Sequence, residues 1–292
     1  MKHTLSVTVA AVFSLATSLP AAASPFFFST GNPDGSMASA TRPGSGGVSE
    51  IESADDFVLT RGTTITSATF TGIIPFGSSV SDIGNVVVEI YRVFPKDSNV
   101  GRTSGPPVFS TPQVPTRVNS PSDVAFDSRD SVGGTLSVST SVLGIFAAIN
   151  SVQPGGIHPK PNQTTGGDGA VIGQEVLLSV TFTDPFSLPA DHYFFVPQVE
   201  LSGGDFLWLS AAKPIVAPGT PFPPGSPDLQ SWTRDEFLDP DWLRIGTDIV
   251  GGTPAPTFNA AFSITGTIPE PATLLMLGTS MMGLGLLRRP KA

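Results

Sequence analysis

The stretch "TFNAAFSITGTI", residues 257–268, decides the fold class of this chain. Large apolar side chains recur at every second position, and small or polar ones fill the positions between them: Phe258, Ala260, Phe262 and Ile264 alternate with Asn259, Ala261, Ser263 and Thr265. A period of two is that of a β-strand with one buried face. The pattern therefore predicts an antiparallel strand on one side of an apolar core.

Similar stretches recur along the chain. "QEVLLSVTF", residues 174–182, has the same alternation, and weaker strand patterns lie at 55–60, 63–74, 85–94, 192–201 and 205–210. In "NVVVEIYRVF", residues 85–94, both faces are largely apolar, which predicts a central strand covered on two sides. Pro197 has no backbone N–H to donate to a neighbouring strand, and its presence at this position predicts an edge strand or a bulge. Because helical patterns are few, we expect an all-β fold, an antiparallel β-sandwich or jelly roll.

The two ends of the chain differ from its middle. Residues 1–23 have a positive start, an apolar stretch and small residues at Ala21 and Ala23, which is typical of a cleaved signal peptide. Residues 24–267 form the predicted sandwich, a single domain with Gly- and Pro-rich loops at 31–47, 150–169 and 213–228. Residues 268–292 form a separate tail.

Composition limits the classes of function. The formal net charge is −9, and several of the basic residues lie in the two ends, so the sandwich itself is more acidic. An acidic surface repels phosphate backbones, which excludes nucleic acid as a partner. The chain has no cysteine although it is predicted to be exported, so packing and backbone pairing must stabilise it, with bound cations such as Ca²⁺ as an additional option.

The tail reads "IPEPATLLMLGTSMMGLGLLRRPKA". Pro269, Glu270 and Pro271 are followed by an uncharged run at 272–287 and then by Arg288 and Arg289. As a helix the 16-residue run would be about 24 Å long, just short of the roughly 30 Å hydrocarbon core of a bilayer. The positive-inside preference then predicts a transmembrane helix with its basic end in the cytoplasm and the sandwich outside.

This three-part order resembles the PEP-CTERM sorting signal of Gram-negative bacteria that export extracellular polysaccharide. The resemblance implies that the membrane enzyme exosortase recognises Pro269, Glu270 and Pro271 and cleaves nearby. It further implies an inner-membrane intermediate through 272–287 and delivery of the sandwich to the cell surface or to an extracellular biofilm matrix. Pro290 and Lys291 interrupt the basic cluster, a small departure from the pattern.

Three sets of residues are candidates for ligand binding. Asp55 and Asp56 would suit Ca²⁺, but neighbours on a strand point to opposite faces unless a bulge turns one of them, and solvation at a strand start is the alternative. Asp123, Asp127 and Asp130 would share one face of a helix, although a solvated face is the commoner outcome. Trp232 and Trp242 flank polar sequence and would stack on sugar rings, with core packing as the alternative.

Catalytic patterns are weak. Carboxylates of a glycan hydrolase could be sought at Asp235, Glu236, Asp239 and Asp241, but proximity in sequence does not give the required geometry across a cleft. The chain has neither a cysteine nucleophile nor a "GxSxG" turn. We therefore expect a non-enzymatic exported protein of the cell surface or polysaccharide matrix. The alternatives are a carbohydrate-binding module, with or without Ca²⁺, and then the hydrolase.

Overall fold

The computed structural model describes residues 23–100, 118–157, 164–236 and 242–269. Pro25–Ile268 forms one compact unit. The predicted signal peptide lies almost wholly outside the described residues, as do Glu270, Pro271, the uncharged run and the terminal arginines. Within the described part, no helix has both the length and the apolar character needed to cross a membrane.

The prediction of an all-β chain with two sheets is confirmed. The described residues contain fifteen strands: β1 Ser24–Ser29, β2 Pro33–Ala40, β3 Ile51–Leu59, β4 Thr63–Pro75, β5 Ile83–Arg92, β6 Asp127–Asp130, β7 Leu136–Ala148, β8 Ser151–Val152, β9 Val171–Leu188, β10 Asp191–Leu201, β11 Leu207–Ala211, β12 Trp232–Asp235, β13 Leu243–Arg244, β14 Asn259–Ala260 and β15 Phe262–Ile268. Short 3₁₀ turns lie at Val80–Asp82 and Pro154–Gly156, and one π-helical turn lies at Ile245–Val250.

The strands form two sheets. The first has nine strands in the order β1-β15-β4-β11-β2-β8, with β9 paired to both β4 and β7, and β14 paired to β11. The second has six strands in the order β13-β12-β3-β10-β5-β6. Every pairing within the second sheet is antiparallel.

The stretch at 257–268 forms two strands rather than one. The break falls at Ala261, whose N–H donates to the carbonyl of Leu209 at 2.8 Å, while its carbonyl accepts from the N–H of Thr71 at 3.2 Å. The chain thus changes neighbour at this residue, because β14 pairs with β11 and β15 pairs with β4. Alternation in the sequence predicted the strand conformation but not the change of partner.

The main core lies between the two sheets. Phe57, Tyr193 and Phe195 reach it from the second sheet, and Phe70 and Phe262 reach it from the first. The rings of Phe195 and Phe262 are stacked with their centres 5.0 Å apart. Such aromatic contacts supplement the area-proportional gain of burying apolar surface.

The second sheet is also covered on its outer face. Tyr91, Phe194 and Val196 lie there in a cluster with Trp232 and Trp242. Strand β5 therefore has apolar side chains packed on both faces and lies between β10 and β6, as the sequence at 85–94 predicted. This covered outer face holds the polar side chains described below.

Two sequence expectations are wrong. β10 is a central strand, so Pro197 does not mark an edge; pairing of β10 with β3 instead ends at Phe195, and the Thr41 hydroxyl donates to the Pro197 carbonyl. Asp127–Asp130 is strand β6 rather than a helical turn. The one-face grouping of Asp123 with Asp127 and Asp130 is therefore not formed.

Candidate functional site

The acidic cluster consists of Glu50, Glu52 and Glu89, and one carboxylate oxygen from each lies within 4.8 Å of those from the other two. Glu52 is on β3, Glu50 directly precedes that strand, and Glu89 is on β5. Residues two apart on a strand share a face, which brings Glu50 and Glu52 to the same side. β10 lies between β3 and β5 and places Gln198 in the cluster.

Gln198 and Tyr91 donate hydrogen bonds within the acidic cluster. Gln198 Nε2 donates to Glu50 at 2.9 Å and to Glu89 at 3.5 Å. The Tyr91 hydroxyl lies 2.5 Å from Glu52 and 3.1 Å from Glu89, but its single proton serves one of them at a time. Gln198 is fully buried, and its Oε1 has no hydrogen-bonding partner in the described part of the chain.

Arg234 supplies positive charge to the acidic cluster. Its Nε donates to Glu52 in a buried ion pair, and its Nη2 donates to the Tyr91 hydroxyl at 2.9 Å. Burial first, and then the charge of Glu52, raise the pKa of Glu89 to about 8. Burial likewise raises the pKa of Tyr91 far above its usual range, so its hydroxyl keeps its proton. At neutral pH the raised pKa of Glu89 therefore favours its protonated form.

Aromatic rings cover the arginine side of the cluster. The guanidinium carbon of Arg234 lies 4.5 Å from the ring centre of Trp242 and 5.3 Å from that of Tyr91. The two rings meet edge to face at 5.5 Å. Trp242 Nε1 donates to the carbonyl of Ser122 at 3.0 Å, which fixes the indole over the sheet.

Asp55 and Asp56 are buried but do not converge on one point. The ladder from Asp55 to Leu59 is regular, so no bulge turns either side chain. Asp55 accepts from the N–H of Ala260 at 2.8 Å and from the Ser231 hydroxyl at 3.2 Å. Separate partners hold each carboxylate, and this arrangement does not support the shared Ca²⁺ site that the sequence suggested.

Asp56 is paired with a histidine instead. Its carboxylate accepts from the N–H of Leu229 at 3.1 Å and lies 2.5 Å from Nε2 of His192. Burial raises the pKa of Asp56 and lowers the pKa of His192 to about 4. Both shifts favour the uncharged forms, a carboxyl and a neutral imidazole joined by a hydrogen bond.

Trp232 and Trp242 are exposed by 1% and 0%. Neither ring presents an open face on which a sugar could stack, and their burial fits the alternative interpretation, packing. The Trp232 indole N–H has no partner among the described residues, and this side chain borders a surface depression of about 390 Å³ together with Lys213, Asp228, Gln230 and Arg244.

The carboxylates considered for hydrolysis are only partly described. Asp235 ends β12 opposite Ile51, and the Glu236 carboxylate accepts from the N–H of Glu50 at 3.4 Å. Asp239 and Asp241 lie outside the described residues. Hydrolysis by these four carboxylates stays a hypothesis drawn from the sequence.

The sequence reasoning missed Glu50, Glu52, Glu89 and Gln198. A signal was present, because Glu89 is the one charged residue in the apolar run "NVVVEI". A carboxylate in a strand buried on both faces requires a partner. Its neighbours are Tyr91 on its own strand, Gln198 on β10 and Glu52 on β3, and this pairing of strands is not visible in the sequence.

The described chain ends just after β15, where Pro269 is exposed. Residues 267–289 match the family model described as the PEP-CTERM protein-sorting motif. The chain carries a PEP-CTERM sorting motif. The motif spans Pro269, Glu270, Pro271, Arg288 and Arg289, and it indicates an exported protein that exosortase processes. Neither the curated proteins nor the solved structures include a match to this chain.

Proposed function

We propose that the sandwich is a non-enzymatic component of the cell surface or extracellular matrix that associates with exopolysaccharide after exosortase processing. The observation that carries the proposal is the position of the sorting motif. β15 ends at Ile268, and Pro269 is the first residue beyond it. Cleavage close to Pro269, Glu270 and Pro271 would leave all the described strands in the released protein.

The buried polar groups support a structural role for the sandwich. Asp55 on β3 accepts from the backbone N–H of Ala260 on β14, which ties the second sheet to the first. Glu52 is held by Arg234 of the neighbouring strand β12. These groups brace strands against one another, and a rigid body of this kind suits a matrix component.

The test uses the full chain in a Gram-negative host that makes exopolysaccharide and contains exosortase. An epitope is inserted between Gly46 and Gly47, where the surroundings are open. We expect a shortened protein in the matrix fraction that sediments with polysaccharide, and a full-length membrane form when exosortase is deleted. Glu270→Ala should block shortening, while Glu175→Ala should not.

Two results would contradict the proposal in different ways. A protein that stays full length in the exosortase strain would remove the processing step. A shortened protein that is recovered free in the medium, with no polysaccharide bound, would leave processing intact and remove the matrix role.

A carbohydrate-binding function is the second candidate, favoured by the depression beside Trp232. Lys213, Asp228, Gln230 and Arg244 line it together with Trp232, whose buried indole N–H has no partner among the described residues. Saturable binding of the producer's polysaccharide should fall at least about tenfold in Trp232→Phe, which keeps the packing but removes the donor. Trp208→Phe is the matched control, because the indole N–H of Trp208 donates to the carbonyl of Ala261 in the core. Equal binding of polysaccharide by the two variants would contradict this candidate.

A further inference from the structure

We propose that the side chains of Lys213 and Asn259 join in an intramolecular isopeptide bond, with Asp228 as the proton carrier. Lys213 Nζ lies 3.3 Å from Oδ1 of Asn259 and 2.6 Å from Oδ1 of Asp228. The other carboxylate oxygen of Asp228 accepts from Nδ2 of Asn259 at 3.3 Å. A primary amine, a carboxamide and a carboxylate that contacts both are the groups that this reaction needs. The inference does not depend on the proposed function of the sandwich.

The fold holds the amine and the amide side by side. Asn259 on β14 pairs with Ala211 at the end of β11, and Lys213 follows two residues later. Lys213 Nζ also donates to the backbone carbonyls of Asp228 and Leu229 at 2.7 and 2.8 Å. These hydrogen bonds fix the amine beside the amide. Such positioning removes much of the entropy cost of bringing two reacting groups together.

The reacting groups are largely shielded from solvent. Asn259 is 1% exposed, and the side chains of Lys213 and Asp228 are 13% and 20% exposed. Burial limits the access of water that would compete with the amine for the amide carbon. Lys213 and Asp228 also line the depression of about 390 Å³ next to Trp232, which gives the released ammonia a path to solvent.

The reaction needs no oxidant, reductant or cofactor. The Lys213 ammonium passes one proton to the Asp228 carboxylate, and the freed electron pair on Nζ forms a bond to Cγ of Asn259. Asp228 then delivers that proton to Nδ2, and the bond between Cγ and Nδ2 breaks. A second proton from Nζ goes to the departing ammonia, which leaves as ammonium. The products are a secondary amide, one ammonium ion and the original carboxylate, so atoms and charge are conserved.

The bond would supply a covalent cross-link to a chain that has no cysteine. It closes the segment 213–259, which includes the Gly- and Pro-rich loop at 213–228, into a ring. A cross-link between residues far apart in the chain stabilises a fold mainly by restricting the unfolded state. We therefore expect the linked protein to unfold at a higher temperature than a variant that cannot form the bond.

The test is the mass of the purified full chain after unfolding. We expect this mass to fall below that of the sequence by one ammonia, and a protease digest to contain a branched peptide that joins Lys213 to Asn259. Asp228→Asn removes the proton acceptor and Lys213→Arg removes the nucleophile, so neither variant should give the branched peptide. Asp191→Asn is the matched control, because Asp191 accepts from Lys96 at 2.6 Å in a similar ion pair. This control should form the bond as the unchanged protein does.

Three results would overturn the proposal. An unchanged protein at the full mass of its sequence would show that the three groups are only hydrogen-bonded, and this measurement does not depend on how well a variant folds. Loss of ammonia with the Lys213 amine still reactive in the unfolded chain would show that Asn259 had cyclised onto its own backbone. Equal amounts of branched peptide from Asp228→Asn and the unchanged protein would show that Asp228 carries no proton.

Discussion

The guanidinium carbon of Arg234 lies 4.5 Å from the ring centre of Trp242, while the same side chain forms a buried ion pair with Glu52. One residue of strand β12 thereby joins the acidic cluster to its aromatic cover. The planar group is required for both contacts, since it stacks on a ring and donates from its edge at the same time. The relationship makes Arg234 the most consequential single charge of the sandwich.

Arg234→Lys should reduce the free energy of unfolding by about 3 kcal/mol, because lysine keeps the charge but loses stacking and leaves Glu52 poorly paired. Urea unfolding followed by tryptophan fluorescence measures the loss. Arg61→Lys is the matched control, because Arg61 is exposed and should change stability by less than about 0.5 kcal/mol. Similar values for the two variants would show that the stacked ion pair contributes nothing.

Glu89 should make stability depend on pH when chelator is present. Its pKa in the folded protein is about 8, above the ordinary value of 4.5, so the folded state binds the extra proton. The stabilising contribution is complete below about pH 4.5 and is lost as the pH rises through about 8, with an upper limit of about 5 kcal/mol.

Glu89→Gln should remove this alkaline loss, which denaturant midpoints between pH 4 and pH 9 would measure. Glu200→Gln is the control, because hydrogen bonds from Ser45 and Asn85 lower the pKa of Glu200. The contribution of Glu200 to stability depends on pH in the opposite direction, since it is present above the ordinary pKa of a glutamate and is lost as the pH falls. An alkaline loss of equal size in Glu89→Gln would contradict the assignment.

Asp55 should tolerate an amide but not a deletion. Burial, and then the charge of Asp56, raise the pKa of Asp55, which favours the neutral form that an amide resembles, and Asp55→Asn should cost less than about 1 kcal/mol. Asp55→Ala leaves the N–H of Ala260 unpaired and should cost about 2–3 kcal/mol. Thermal unfolding of both variants, beside the exposed control Asp184→Ala, gives the comparison. Equal losses for the amide and the alanine would mean that the charge of Asp55 matters.

Gly72 should be irreplaceable at the contact of β4 with β11. A β-carbon there would meet the ring of Phe206 and lie 2.6 Å from the carbonyl of Leu207. Gly72→Ala should therefore cost about 3 kcal/mol or prevent folding, since overpacking forces backbone shifts. Gly62→Ala is the control and should fold normally, because the nearest atom to an added β-carbon there is 3.9 Å away. Similar melting curves for Gly72→Ala and Gly62→Ala would contradict the steric argument.

Much of the fold could be predicted because strand alternation is local. Residues 174–182 became the middle of β9, and the two-sided apolar pattern at 85–94 became β5. The neighbours of each strand could not be predicted, since pairing joins residues far apart in the chain. Pro197 shows the limit: it lies in a central strand because pairing with β3 has already ended at Phe195.

The candidate site was predicted poorly for the same reason. Asp55 and Asp56 were chosen because they are adjacent in sequence, yet adjacency on a regular strand separates them. Glu52 and Glu89 are brought together by β10, which lies between their strands. The sorting motif was found because all of its parts lie within 23 consecutive residues.

The position of β15 has a consequence for the timing of secretion. β15 lies between β1 and β4, and the Thr30 hydroxyl just after β1 donates to the carbonyl of Phe262, 232 residues later. The first sheet can close only when nearly the whole chain has been translocated, and loops of such length fold slowly. The segment that completes the sheet is followed at once by the segment that exosortase reads. Exosortase processing and the pairing of β15 therefore depend on adjacent segments of the chain, and a product truncated before β15 lacks both.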